Sequence, residues 1–100
     1  MAGVNNPYRY AYEAVAASQT DQALGATGAT GDYLHRLLIS VTTASTASVT
    51  LKDGSTTIFT TPSATPVGVY SIEVNAVSRN GAWTVTTGSN VTAVGVGIFA

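Results

Sequence analysis

Val49-Thr50-Leu51-Lys52-Asp53-Gly54-Ser55-Thr56-Thr57-Ile58-Phe59-Thr60-Thr61 decides the fold class. Two β-prone runs flank Asp53-Gly54, and Asp-Gly between alternating runs is one of the strongest short-range hairpin signals. Pro62 and Pro66 close the second run, because proline cannot donate to a central ladder. The stretch therefore reads as a hairpin of two short antiparallel strands.

The same grammar extends in both directions. Downstream, Val67 to Ala76 alternates, with Tyr70, Ile72 and Val74 on one face and Val69, Ser71 and Glu73 on the other. Asn80-Gly81 marks another tight turn, and Ala82 to Thr87 follows with Trp83 and Val85 on one face. Thr87-Gly-Ser-Asn90 turns again into a last strand, Val91 to Phe99. In that strand Ala93, Gly95, Gly97 and Phe99 share one face. The two glycines leave it nearly flat, so a side chain of the same subunit (Trp83 or a tyrosine) or a neighbouring subunit can approach closely.

Upstream, Asp32 to Val41 is the most apolar long strand. Strict alternation puts Tyr33, His35, Leu37, Ile39 and Val41 on one face and Leu34, Arg36, Leu38 and Ser40 on the other. Apolar residues on both faces point to a central or doubly covered strand. Gly25-Ala-Thr-Gly-Ala-Thr-Gly31 is too short for a collagen-like repeat and lacks the dinucleotide-binding spacing, so it reads as a flexible turn. Tyr8, Tyr10 and Tyr12 alternate with Arg9, Ala11 and Glu13, which suits a strand with an aromatic face, although the alanines that follow also tolerate a helix.

Seven or eight short strands with evenly spaced turns predict an all-β domain. The expected architecture is a single β-sandwich, jelly-roll or Greek-key like, over residues 13–100, with an extended arm at 1–12. One hundred residues suit one domain.

Composition narrows the function. Only 9% of residues are charged, against about 25% in an average soluble domain, and the net charge is −1. The four cations, Arg9, Arg36, Lys52 and Arg79, are scattered along the chain, which argues against a nucleic-acid groove. So little charge gives little electrostatic solubility, as expected of a surface that is covered in use. No apolar run is long enough to span a bilayer as a helix, so no membrane role is expected. Met1 to Pro7 lacks a basic region followed by an apolar run and does not read as a secretory signal.

The chemistry-bearing residues are sparse. There is no cysteine and one histidine, His35. The acids Glu13, Asp21, Asp32, Asp53 and Glu73 show no ligand spacing, and Asp53 reads as part of its turn. A lone histidine builds neither a metal site nor a catalytic constellation, and the many hydroxyls lack a base. His35 reads instead as a half-buried strand residue beside Arg36. Asn90-Val91-Thr92 fits a glycosylation sequon but without a secretory signal reads as chance. The expectation is a non-enzyme with no cofactor and no metal. Tyrosine and arginine are enriched at protein interfaces, so Tyr8, Arg9, Tyr10 and Tyr12 are the candidate partner-binding residues. The competing reading is that they form a first strand covering their own core.

Gly31-Asp-Tyr-Leu-His-Arg-Leu-Leu-Ile39, Ser48-Val-Thr-Leu-Lys-Asp-Gly-Ser55, Gly81-Ala-Trp-Thr-Val-Thr-Thr-Gly88 and Val91-Thr-Ala-Val-Gly-Val-Gly-Ile-Phe99 carry a resemblance. In their order of strand, Asp-Gly hairpin and terminal hairpin they resemble small structural proteins of tailed bacteriophages, the capsid decoration (cement) proteins and the base domains of head fibres. The resemblance spans residues 20–100 and leaves the tyrosine arm outside. It implies a β-sandwich that assembles as a homotrimer on the outer capsid surface of the virion, binds the major capsid protein and has no catalysis. Such a protein is made in the bacterial host cytoplasm. The alternative is a head-fibre or tail attachment module that recognises carbohydrate, since tyrosine and tryptophan stack on sugars.

Overall fold

A computed structural model describes residues 10–25, 30–44 and 48–99. Eight strands appear in chain order: β1 Ala11–Val15, β2 Gln22–Ala23, β3 Tyr33–Val41, β4 Val49–Asp53, β5 Thr56–Thr60, β6 Gly68–Val77, β7 Trp83–Thr87 and β8 Val91–Ile98. They form two four-stranded antiparallel sheets, ordered β1-β8-β3-β6 and β2-β7-β4-β5. The all-β sandwich expected from the turns is present.

The strand order also identifies the connectivity. β4 pairs β5, β3 pairs β6, β2 pairs β7 and β1 pairs β8. These are the pairs of one long hairpin folded at Gly54-Ser55. The hairpin is then rolled up, which adds β3 against β8 and β4 against β7. A rolled eight-strand hairpin split between two sheets is a jelly roll.

Rolling explains where a local reading of the turns fails. Among the described strands, β4–β5 is the one pair adjacent in both sequence and space. The expected terminal hairpin is not there: β7 and β8 lie in different sheets, and Gly88 to Asn90 carries the chain across the sandwich. Asn80-Gly81 likewise belongs to a crossing, from β6 in one sheet to β7 in the other. The hairpin turn is displaced by one residue. Asp53 ends β4 opposite Thr56, and Gly54-Ser55 makes the turn, with Gly54 at φ 59°. Asp53 is buried rather than spent on that turn. Its carboxylate accepts the Arg79 and Asn80 amides at 3.0–3.1 Å, which pins the β6–β7 crossing against the hairpin.

The core is formed by alternate residues of both sheets, among them Leu34, Leu37, Ile39, Leu51, Trp83 and Val85, all at most 2% exposed. Trp83 uses its indole N–H to reach the Asp32 carbonyl at 2.9 Å, which satisfies its polar tip inside the core. β3 is central, as expected, but its faces do not follow strict alternation. Register against both β6 and β8 shifts between Leu34 and Arg36, so His35 sits at a β-bulge. Leu34 therefore joins Leu37 and Ile39 inside, and Tyr33 leaves the face assigned to it.

Gly95 and Gly97 are buried and face the core. Neither Trp83 nor a tyrosine ring occupies their space. A Cβ on Gly95 would lie 2.8 Å from Leu24 Cδ1, and one on Gly97 would fall on the Tyr33 carbonyl oxygen, beside the bulge. The boundary of the arm also moves. Ala11 and Tyr12 pair with Gly97 and Val96, so the sheet begins two residues before the expected domain start at residue 13. Residues 26–29, which hold most of the glycine-rich turn, lie outside the described residues.

Candidate interaction surface

The two outward faces differ in chemistry, and register shows why. Residues directly opposite in antiparallel strands share a face. On the β1-β8-β3-β6 sheet one outward row runs Tyr12, Val96, Arg36, Glu73, and the next runs Ala14, Val94, Leu38, Ser71. A third row, Thr92, Ser40, Val69, follows, so apolar side chains hold six of the eleven positions, beside one cation, one anion and three hydroxyls. On the other sheet the rows run Thr86, Thr50, Thr60 and Thr84, Lys52, Thr57. Threonine suits β-propensity there, and Thr57 and Thr60 reach water, whereas the Thr84 hydroxyl is buried without a hydrogen-bond partner. The Thr50 and Thr60 hydroxyls meet at 3.1 Å, and Lys52 pairs with Asp21 at 3.7 Å.

A polar and aromatic cluster marks one end of the apolar face. The bulge at His35 puts Tyr33, His35 and Arg36 on the outward side together. The matching irregularity in β6 is at Asn75, which takes φ 49°, a left-handed conformation that asparagine tolerates. Tyr10 stacks on His35, with centroids 4.7 Å apart and planes 22° apart, and lies 6.2 Å from the Tyr33 ring.

The hydrogen bonds run in one direction. The Tyr33 hydroxyl donates to Asn75 Oδ1 at 2.9 Å, so its lone pairs face His35 Nδ1 at 3.3 Å. Arg36 has only donors and meets His35 Nε2 at 3.3 Å. These contacts fit the tautomer in which Nε2 accepts from Arg36 and Nδ1 faces the Tyr33 oxygen. Arg36 also donates to Ser71 Oγ at 3.4 Å. The Tyr33 phenol is pushed above its usual range, first by burial, then by Tyr10 and the Glu73 carboxylate.

Of the four predicted partner-binding residues, Tyr8 and Arg9 lie outside the described residues. Tyr10 is 47% exposed at the aromatic cluster, and Tyr12 is 76% exposed in the first outward row. The structure brings Tyr10 together with His35 and Tyr33, a grouping that period-2 reading could not foresee because a bulge breaks the period. His35 is half-buried beside Arg36, as its sequence context indicated. Among the described residues no group of three His, Cys, Asp or Glu side chains is placed to hold a metal ion.

A second feature has no counterpart in the sequence pattern. A groove of about 420 Å³ runs beside β6, flanked by Val69, Tyr70, Ser71 and Ile72 on one side and by Pro62 and Thr65 on the other. No known protein family, curated protein or solved structure matches the chain. The jelly-roll assignment therefore stands on strand order alone.

Proposed function

We propose that this chain is a non-enzymatic virion structural protein, a capsid decoration protein of a tailed bacteriophage that binds the outer capsid surface and stabilises the assembled shell. The contrast between its two outward faces carries the reading. An apolar, tyrosine-bearing face suits burial against a protein partner, and a threonine face opposite it suits exposure to water. The jelly roll is used by viral capsid and lectin domains, a fold-level analogy that adds weight without deciding the role. A protein that binds the assembled capsid lattice and not free subunits stabilises the lattice by mass action.

The test is occupancy on purified shells together with electron microscopy of the native particle. Tyr12→Ala changes an exposed side chain, so folding stability should move by less than about 0.5 kcal/mol. Shell occupancy at limiting protein should fall several-fold. Wild-type protein that fails to decorate shells, or Tyr12→Ala protein that decorates them equally, rejects this surface as the docking face.

The Tyr10–His35 stack beside Asn75 and Glu73 supports a second reading, a carbohydrate-recognition module on a head fibre or tail. Aromatic faces next to amide and carboxylate groups suit sugar rings. Glycan-array binding that is lost in Tyr10→Ala protein, with no shell decoration, selects this reading.

A further inference from the structure

Among the described residues four strands lie at sheet edges, and β6 is by far the longest of them. β2 has two residues, β1 has five, and β5 has five with a register shift between Leu51 and Lys52 in its pairing with β4. β6 differs. It has ten residues, contains neither proline nor lysine, and carries a single charge, Glu73. Natural edges are protected by shortness, lysine, proline, bulges or a covering loop; β6 has none of the first four until Asn75, and the loop residues Thr61, Pro62 and Thr65 stand off from it across the groove.

The interior behind β6 is also incomplete. Its inward residues Tyr70, Ile72, Val74 and Ala76 are only partly buried, whereas Leu34, Leu37 and Ile39 on neighbouring β3 are at most 1% exposed. Val69 is 74% exposed, Val67 64% and, across the seam on β5, Ile58 45%. The 420 Å³ groove follows this edge along residues 69–72.

We propose that the β6 edge is a self-association surface, and that its occupant is β6 of a second copy in antiparallel pairing about a two-fold axis. The segment matches its own edge. It is an extended run with alternating apolar residues, and an isologous contact presents the same patch from both sides.

Register follows from three constraints. Opposite residues share a face, so outward residues meet outward ones. Asn75 leaves extended geometry, so pairing is confined to residues 68–74. Glu73 opposite its own copy would set like charges together, which disfavours an axis there. The longest ladder left has Ser71 on the axis. It places Tyr70 opposite Ile72 over the seam and Val69 opposite Glu73 on the outward side. Seven paired residues span about 24 Å and make a small interface, so association is concentration-dependent. The two sheets become one eight-stranded sheet. Pairing of this kind goes beyond the capsid role and does not need it. It also departs from the trimer that the phage resemblance implies.

Light scattering and sedimentation of the full chain decide the matter, from about 1 to 200 µM, the range over which weak dimers assemble. The mass should rise from one chain to two. One chain mass throughout, or three, overturns the proposal. Val69→Glu faces the partner's Glu73 and should weaken association about tenfold or more, while Val69→Lys should preserve or tighten it. Equal effects of the two variants overturn the register. The chain lacks cysteine, so Ser71→Cys protein should form a disulfide dimer on mild oxidation far faster than Ser89→Cys protein, whose thiol lies on the β7–β8 crossing. Equal rates also overturn it.

Discussion

The two open sides of the sandwich solve the same problem differently. On the β1–β2 side, Leu24 fills the seam at 0% exposure, and Gly95 leaves room for it. Hydrogen bonds stitch that side from sheet to sheet. Gln22 Nε2 donates to Glu13 Oε2 at 3.3 Å and to the Ala14 carbonyl at 3.1 Å, and Thr87 Oγ1 donates to the Ala16 carbonyl at 2.6 Å. On the β5–β6 side the matching inward side chains stay partly exposed beside a groove. Among the described residues, one seam is filled by a fully buried side chain of the same chain and the other is not. The difference separates a side built for stability from a side left available for contact.

The hardest way to break the closed side is to add one methyl group. The Cβ of Gly97→Ala would collide with the Tyr33 carbonyl and come within 3.1 Å of Leu34 Cα, both backbone atoms that cannot rotate away. The expected loss is about 3 kcal/mol or more, large against a total of roughly 5–15 kcal/mol for a domain of this size. Urea unfolding followed by circular dichroism measures it. A Gly97→Ala protein with an unchanged midpoint would mean that the bulge relaxes freely.

A matched pair of truncations compares the two sides directly. Leu24→Ala removes a fully buried side chain and should cost about 2–5 kcal/mol. Ile72→Ala removes one from the open side and should cost less than about 2 kcal/mol at low protein concentration, because part of it already meets water. Raising the concentration should enlarge the Ile72→Ala deficit and leave that of Leu24→Ala unchanged if the open seam is closed by a second copy. Equal costs at every concentration would erase the distinction between the sides.

The same contrast shows which parts were legible in sequence. The Asp53-Gly54 hairpin was readable because a local turn forces its two strands together. β6 was readable because its period of two is unbroken from Val69 to Val74. The closed side was not readable, since its key residue, Leu24, adjoins a two-residue strand with no periodic signal. The turns at Asn80-Gly81 and Gly88 to Asn90 were visible, but a short polar loop that crosses between sheets looks like one that folds back. For the surface, the tyrosines stood out by composition. Their partner His35 fell on the wrong face because one inserted residue reverses every assignment on one side of it.

The smallest expected effect lies where side chains from the two sides meet. Tyr33 on central β3 feels Tyr10 from the β1 side and Glu73 from β6. Its phenol ionises above the usual value near 10 because burial, Tyr10 and the Glu73 carboxylate all disfavour the phenolate. The folded-state pKa is therefore raised above the unfolded one. The stability linked to this group is fully present below the unfolded pKa and is lost as pH rises through the folded value. Ultraviolet titration should show a late phenol phase that disappears in Tyr33→Phe protein. Glu73→Gln should move that phenol slightly toward the ordinary range, and Tyr10→Phe should move it further, since Tyr10 ranks ahead of Glu73 among the causes. A larger shift from Glu73→Gln would mean that the β6 edge, and not the β1 side, governs the electrostatics of the cluster.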